Sequence, residues 1–404
     1  MTKTERQTDL LKIIEQLDIS PTMYKNAVSK YDALATYLQT HGINAEIYPQ
    51  GSFALGTVVR PVAKNPDAAY DLDAICQVSG TREDMKPSEL WDRVKEILTS
   101  SDLYGGKLTE HEKCFTIEYA EIGGCGFSID IVPAADESQA NKDRLRAKSP
   151  LPLLVDTSIS IPNHVENSYQ WITNNPKGYR TWFEKINAPF AAHAWEFRSS
   201  EIMKAHPTVF ASVEEIPQEL NRSALQRVIQ ILKHHRDVYY GKLQNGDDIK
   251  PISAIINTIV AKIAESARAD ITTFELLKLV TDELYIYSRH QFISKKLFTD
   301  YYGTRSVIAR EDDCWMIENP ANPEDNLADA WNENPAIPKQ FFLWADSVKK
   351  DLIESTGLGA ADFRARAETA FGPAIIAKNW GAKYNPSLAK PILGEHPAKP
   401  WRVL

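Results

Sequence analysis

The segment from Tyr48 to Val78 contains Gly51-Ser52-Phe53-Ala54-Leu55-Gly56-Thr57 and, further on, Tyr70-Asp71-Leu72-Asp73-Ala74-Ile75-Cys76. Asp71 and Asp73 are two residues apart in an apolar run that is typical of a buried strand. Successive side chains of a strand point to opposite faces, so the two carboxylates share one face and lie a few ångströms apart. Like charges that close raise each other's pKa unless a cation lies between them. The pair therefore indicates a divalent-metal site.

A third carboxylate, Asp130, is predicted on a second apolar strand. In the segment Gly126 to Pro133 the alternation places it on the face opposite Phe127 and Ile129, in a strand joined to the preceding one by a Gly123-Gly124 hairpin turn. By itself this acid fits a charged rim position as well as a metal ligand. Three carboxylates from two adjacent strands are the donor set of a two-Mg²⁺ phosphoryl-transfer site, and Mn²⁺ is the expected substitute.

The Gly51-Ser52 turn precedes a short helix predicted over residues 53–59. Backbone N–H groups at a helix start favour an anion, Gly51 allows close approach of a phosphate, and Ser52 adds a hydroxyl. An ordinary capped turn is the alternative for this pair taken alone. The segment also matches the glycine spacing of a P-loop, but Thr57 occupies the position of the phosphate-binding lysine, which excludes that motif.

Composition bounds the class of protein. The chain has 404 residues, with 46 basic and 54 acidic side chains and a net charge of −8, which does not favour a general nucleic-acid binder. No apolar run approaches a membrane span, and residues 1–20 lack a signal-peptide core. The four cysteines form no CxxC pair and do not cluster with histidines. We therefore expect a reduced, cytoplasmic protein without structural zinc.

The periodicity predicts a two-part chain with a tail. Residues 1–160 are expected to form a core with N-terminal helices, strands and an inserted loop at residues 61–69; beyond Ala134 the pattern becomes helical, and residues 161–378 are predicted to form a helical domain. A long helix is predicted from Ser223 to Tyr240 and another from Pro251 to Glu265. Residues 318–326 are too proline-rich for a helix or a central strand and predict a rigid loop. Residues 379–404 are expected to lie on the surface as an extended tail.

The combination of Gly51-Ser52, Asp71-x-Asp73 and Asp130 resembles the DNA polymerase β-type nucleotidyltransferases. Within them it is most similar to the bacterial CD-NTases, relatives of cyclic GMP-AMP synthase and 2′-5′-oligoadenylate synthetase. The resemblance extends over roughly residues 20–375 and includes the segments Asn175–Tyr179, Leu225–Lys233 and Glu318–Asn326. It implies an α+β fold, with a polymerase β-like core of mixed sheet and flanking helices, a C-terminal helical domain, and an active site in the cleft of a bilobed molecule.

The resemblance also assigns Lys233 and Ser253 to the triphosphate of the donor nucleotide. Without it, Lys233-His234-His235-Arg236 fits a solvated basic face near a helix C-terminus. Ser253 fits equally well an N-terminal serine that bonds its own backbone. The two histidines fit structural or surface positions, because no acidic partner is visible. Candidates for stacking on the base are Tyr179, Tyr239 and Tyr240.

The function implied is condensation of NTPs, ATP among them, into a cyclic di- or trinucleotide second messenger for antiphage signalling, with release of pyrophosphate. In this mechanism Asp71 and Asp73 hold both metal ions, and Asp130 shares the ion that activates the acceptor hydroxyl. An effector protein that responds to the product, and a regulatory or conjugating partner at the tail, are implied as partners. Two alternatives stay open, a linear nucleotidyltransferase acting on RNA, protein or a small molecule, and a catalytically silent nucleotide-binding module.

Overall fold

The computed structural model describes residues 2–61, 69–122, 125–166, 168–205, 221–290, 295–302, 307–311 and 313–385. The strands are β1 Ala45–Pro49, β2 Ala69–Thr81, β3 Leu108–Glu110, β4 Phe115–Ile122, β5 Cys125–Asp136, β6 Ile159–Val165, β7 Ser168–Asn174, β8 Ala309–Glu311, β9 Cys314–Met316, β10 Glu318–Asn319 and β11 Asn322–Asn326. The helices up to residue 205 are α1 Lys3–Ile14, α2 Pro21–Thr40, α3 Gly51–Leu55, α4 Pro87–Thr99, α5 Gln139–Lys148 and α6 Pro176–Ala205. The later helices are α7 Ala224–Tyr240, α8 Gly246–Ile249, α9 Ser253–Ala264, α10 Thr273–Arg289, α11 Lys295–Tyr302, α12 Asp329–Glu333, α13 Ala336–Val348, α14 Ala360–Phe371 and α15 Pro373–Trp380.

A mixed sheet of seven strands forms the first half of the chain. Its order is β1-β2-β5-β4-β3, and β6 joins the end of β5 to β7. Strands β2 and β5 are parallel and adjacent, with Asp73 opposite Asp130 in the register, whereas the other pairs are antiparallel. The α+β architecture with a mixed sheet is as predicted.

One face of this sheet is apolar and the other carries the acids. In β2 the side chains of Leu72, Ala74 and Cys76 are buried in one cluster with residues of α2 and α4, among them Leu34 and Trp91. Asp71 and Asp73 alternate with them and so face the opposite side. The strand alternation therefore fixes which side of the sheet can be a site.

The second half of the chain is mainly helical and packs around α7. Leu225, Val228, Ile229 and Leu232 of this helix are buried in one large cluster with residues from α1, α6, α9, α10, α13 and α14. Ser223 caps the helix by accepting a hydrogen bond from the Gln226 backbone. None of the described helices is both long enough and apolar enough to span a membrane.

The structure differs from the sequence predictions at four places. The short helix predicted over residues 53–59 is α3, Gly51–Leu55, which ends before Gly56 in the left-handed conformation, so Gly51 and Ser52 form its first turn. The pattern does not become helical beyond Ala134, because β6 and β7 continue the sheet to Asn174. The predicted domain division at residues 160 and 161 stays a prediction. Pro162 within β6 concealed the strand from sequence reasoning, yet a proline is tolerated there, since β5 pairs with β6 only at Ile159 and Ser160.

The other two differences concern residues 318–326 and the predicted tail. Instead of a loop, residues 318–326 form the two-stranded hairpin β10–β11. Helix α15 continues to Trp380, and Tyr384 is buried and donates a hydrogen bond to Asp9 of α1, so residues 379–385 pack on the protein. The tail from residue 386 onward, most of the inserted loop (62–68) and the Gly123-Gly124 turn lie outside the described residues.

Asn175 joins the sheet, the helical half and the β10–β11 hairpin. Its side chain is 2% exposed, and its amide nitrogen donates to the carbonyls of Leu154 at 2.7 Å and Ala321 at 2.9 Å. Its amide oxygen accepts from the Gly178 N–H at 2.9 Å, in the first turn of α6, and from the Thr157 hydroxyl at 2.9 Å. Every polar atom of this buried amide is therefore satisfied, and the four bonds tie three segments, residues 152–157, the start of α6 and the hairpin.

We predict that Asn175→Ala lowers the free energy of unfolding by about 2–3 kcal/mol, because it leaves buried backbone carbonyls without donors. Denaturant titration monitored by circular dichroism measures this. Asn245→Ala is the matched control, since Asn245 is exposed and makes no side-chain cap to α8. Equal stability of the two variants would contradict the role of Asn175.

Candidate active site

The three predicted carboxylates come together on the polar face of the sheet. Oxygen atoms of Asp71, Asp73 and Asp130 lie within 4.8 Å of one another. Asp71 is exposed, and the other two are half-buried. Thr116 on β4, opposite Asp130 in the register, donates a hydrogen bond of 2.6 Å to it and fixes the orientation of that carboxylate. The donor set consists of oxygen atoms only, which suits a hard divalent cation such as Mg²⁺ or Mn²⁺.

Burial and mutual repulsion disfavour the charged forms of this cluster. Burial, then the charges of Asp71 and Asp130, raise the pKa of Asp73 to about 7. Burial also raises the pKa of Asp130. A cation that binds between carboxylates whose charged forms are disfavoured in this way stabilises those charged forms. The electrostatics of the cluster therefore fit a divalent-metal site.

Gly51, the first residue of α3, brings the first turn of this helix against the acidic cluster. It has a positive φ of 62°, and a Cβ atom added there would lie 2.4 Å from the Asp73 carboxylate oxygen. The neighbouring Gln50 N–H donates to the Asp73 carbonyl at 2.8 Å. Only glycine combines this backbone conformation with so close an approach. Ser52 follows in the first turn of α3 and lines the same cavity as Asp71 and Asp73.

Three polar side chains of helix α7, from successive turns of that helix, donate hydrogen bonds to backbone carbonyls at residues 55–58. Gln226 donates to the Leu55 carbonyl at 2.9 Å, and Gln230 donates to the Val58 carbonyl at 2.8 Å. Lys233 donates to the Thr57 carbonyl at 3.1 Å. These three side chains, spaced at i, i+4 and i+7, lie on one face of α7. We call them the α7 ladder.

Lys233 is 7% exposed and lines the cavity, so the alternative of a solvated basic face is wrong. Burial, then the nearby Arg236 charge, lower the pKa of Lys233 to about 8. His235 is also buried and does have an acidic partner, since its Nε2 lies 3.2 Å from Asp351. Burial lowers the pKa of His234 to about 4, so it is neutral in the folded protein.

Ser253 begins α9 on the wall of the same cavity. Its hydroxyl oxygen lies 3.2 Å from Arg236 Nη1 and accepts a hydrogen bond from it. The hydroxyl proton of Ser253 can still be donated to a ligand, because a hydroxyl accepts and donates at the same time. Arg236 is buried, also lines the cavity, and donates to the Pro251 carbonyl at 3.0 Å. Sequence reasoning did not assign this arginine to the site.

The cavity has a volume of about 1410 Å³ and reaches from the acids to the β10–β11 hairpin. Gly51, Ser52, Asp71, Asp73, Lys233 and Ser253 line it. Of the three base-stacking candidates, Tyr179 lines it, and its hydroxyl lies 2.8 Å from the Thr258 hydroxyl. Tyr240 is buried in the helical cluster, and Tyr239 accepts a hydrogen bond from Gln340.

Comparisons with known proteins agree with this geometry. Residues 2–146 match the family model of the Second Messenger Oligonucleotide or Dinucleotide Synthetase domain. The c-di-GMP synthase of Roseivirga ehrenbergii is 24% identical over 366 residues, which are 88% of this chain and 82% of that protein. The CD-NTase CdnG of Bradyrhizobium diazoefficiens, solved in complex with GTP, superposes with a TM-score of 0.64 at 18% identity, over 93% of this chain and 98% of its own.

A second solved relative, CdnC of E. coli in complex with a HORMA protein, has a TM-score of 0.55 at 15% identity, over 91% of this chain and 97% of its own. These comparisons support a bacterial CD-NTase. The matched domain and the relatives support a nucleotidyltransferase that makes a cyclic oligonucleotide second messenger, and the acidic cluster fits the use of a divalent metal. The likeness to the solved structures supports the bilobed polymerase β-like fold.

Sequence reasoning missed the polar residues that position the candidate site. Gln226, Gln230 and Arg236 all lie on α7; Gln230 and Arg236 are buried beside apolar neighbours, and Gln226 is half-buried. The available signal for these three residues was their spacing, because polar side chains at i, i+4 and i+10 recur along an amphipathic helix. Which backbone carbonyls they reach is a tertiary property that the helix periodicity does not contain.

We predict that Gly51→Ala lowers kcat at least about 100-fold with little change in fold, because the new methyl group displaces the Asp73 carboxylate. Initial-rate measurements with NTPs and Mg²⁺, paired with a circular dichroism spectrum, check this.

Gly106→Ala is the control for the glycine substitution, since an added Cβ there meets nothing within 4 Å. A Gly51→Ala enzyme with the activity of the control would show that the close approach of the turn is dispensable.

Proposed function

We propose that this CD-NTase condenses two or three NTPs into a cyclic oligonucleotide, with Asp71, Asp73 and Asp130 as the metal-binding catalytic residues and Gly51, Ser52, Lys233 and Ser253 as the nucleotide-binding residues. The observation that carries the proposal is the meeting of the three carboxylates within 4.8 Å beside the Gly51 turn. An acidic surface cluster without a function would not require a glycine in close contact with one of its carboxylates.

Two Mg²⁺ ions are the cofactor that this proposal implies, with Mn²⁺ as a substitute. The all-oxygen donor set and the raised pKa of Asp73 fit such ions. Bound there, they would neutralise the charge that develops on the triphosphate during the transfer. Asp71 and Asp73 from β2 would hold both ions, and Asp130 from β5 would share the ion that activates the acceptor hydroxyl.

The residues of the chain bind and align the substrates. Ser52 and the N–H groups after Gly51 bind the triphosphate from one side, and Lys233 and Ser253 bind it from the helical half. The acceptor ribose hydroxyl attacks the α-phosphorus, a new P–O bond forms, the bond to the bridging oxygen breaks, and pyrophosphate leaves. The hydroxyl proton passes to a carboxylate of the acidic cluster. A second round with the ends exchanged closes the ring.

The size of the cavity supports a site for two nucleotides. Its volume of about 1410 Å³ exceeds the roughly 300–1,000 Å³ that usually holds one small molecule. GTP is one substrate in our proposal, because the relative from Roseivirga ehrenbergii is named a c-di-GMP synthase and CdnG was solved with GTP. ATP stays a sequence-based prediction.

The place of the product in antiphage signalling, through an effector protein that binds it, is part of the proposal and rests on the family. A regulatory protein partner is also proposed, since CdnC was solved in complex with a HORMA protein. The predicted conjugating partner at the tail concerns residues outside those described. Cytoplasmic location stays the expectation from composition.

The decisive experiment is incubation with all four NTPs and Mg²⁺, followed by phosphatase and mass spectrometry. We expect a phosphatase-resistant product without terminal phosphates. Asp71→Asn and Asp73→Asn should each abolish it, because the metal site loses a charged ligand. Asp102→Asn, an exposed acid away from the site, is the control. A product that phosphatase degrades would identify a linear nucleotidyltransferase, and activity in either site variant would end the metal assignment.

The pH dependence of kcat/KM should carry an alkaline limb with a pKa of about 8, because Lys233 is charged below that value and loses its proton above it. NTP affinity then falls as the pH rises. In Lys233→Arg the limb should disappear, since a guanidinium stays charged, even if the rate at pH 7 is lower. Lys242→Arg, at the cavity rim, is the control. An unchanged limb in Lys233→Arg would assign it to another group.

A further inference from the structure

Two polar residues interrupt the apolar helix α9. Asn257 and Thr258 lie between Ile255, Ile256 and Ile259, all of them buried. The Thr258 hydroxyl is bonded to Tyr179 at 2.8 Å. Asn257 is only 4% exposed, and its amide oxygen is buried without a hydrogen-bond partner among the described residues. A buried acceptor left unpaired costs about 1–3 kcal/mol, so its presence calls for an explanation.

The position of Asn257 points to a ligand. It lines the large cavity and follows Ser253 by one helical turn on the same face of α9, about 6 Å further along the axis. Ser253 lies at the triphosphate end of the cavity. Further along the helix, Lys262 donates to the Glu318 carbonyl of the β10–β11 hairpin at 3.3 Å, so α9 runs from the triphosphate end towards the hairpin. Asn257 therefore faces the part of the cavity beyond the phosphates.

The surroundings of Asn257 suit a nucleobase. Tyr179, whose hydroxyl is held by the neighbouring Thr258, lines the same cavity with an aromatic ring. A planar amide beside an aromatic ring is a combination that recognises a base, the ring by stacking and the amide by the hydrogen-bonding edge. A cavity that accepts only phosphate and sugar does not need a buried amide acceptor at this place.

We propose that Asn257 reads the edge of a bound nucleobase, with its amide oxygen accepting a hydrogen bond from a base N–H, and that it thereby sets base selectivity. The inference rests on the proposed function, in which this cavity binds NTPs. A base that places a hydrogen-bond acceptor opposite the amide oxygen leaves both acceptors unpaired. Sites built around such hydrogen bonds therefore discriminate strongly between bases.

The test is equilibrium binding of non-hydrolysable analogues of ATP, GTP, CTP and UTP, with Mg²⁺, to the full chain. In Asn257→Leu, which keeps the volume and removes the hydrogen bonds, affinity for the preferred base should fall 10- to 100-fold and affinity for the poorest base less than threefold. Asn257→Asp, which only accepts, should shift preference towards guanine, whose N1–H and N2–H groups can both donate to one carboxylate. Its unchanged shape keeps the test valid if the leucine variant folds poorly.

Asn163→Leu is the matched control, because its amide oxygen is also buried and unpartnered but it does not line the cavity. It should leave base preference unchanged. Base preferences in both Asn257 variants equal to wild type would overturn the inference. So would a loss confined to discrimination between these analogues and their 2′-deoxy counterparts, measured in the same way, which would place the amide at the sugar. The binding test is independent of the product assay, because it is measured without turnover. Absence of a cyclic product would contradict the proposed function, whereas unchanged base preference would contradict only the role of Asn257.

Discussion

Electrostatic repulsion among Asp71, Asp73 and Asp130 has to be offset whenever this chain folds. The sheet brings the three carboxylates together. The adjacent parallel strands β2 and β5 place Asp73 opposite Asp130, and Asp71 lies on the same face because alternate side chains of a strand share a face. Burial strengthens the repulsion and raises the pKa of Asp73 to about 7. A cation bound among these carboxylates would offset their repulsion, and under the proposed function the neighbouring Gly51-Ser52 segment would hold the triphosphate.

The α7 ladder connects this cluster to the helical half of the molecule. Gln226, Gln230 and Lys233 donate to three backbone carbonyls just behind the Gly51 turn. The same helix buries its other face in the helical core. The turn that would hold a triphosphate is therefore positioned by a helix from the other half, and one residue, Lys233, both supports the turn and presents a charge to the cavity.

The sequence predicted the parts of this site that depend on local periodicity. Asp71, Asp73 and Asp130 were predictable because a strand has a strict period of two, and α7 because its apolar residues repeat as in a helix. Strand β6 was missed because Pro162 argues against a strand unless its unpaired edge is known. Asn257 was missed because the lack of a hydrogen-bond partner depends on every neighbouring element. Hydrogen-bond partners are set by tertiary packing, whereas the periodicity of a helix or strand can be read from the local sequence.

The most direct test of the account is a crystal structure with Mn²⁺ and a non-hydrolysable NTP, in which anomalous scattering locates the manganese. We expect manganese within coordination distance of oxygen atoms from Asp71, Asp73 and Asp130, with the triphosphate at Gly51 and Ser52. Bound nucleotide with manganese at other side chains, and none at these three, would contradict it.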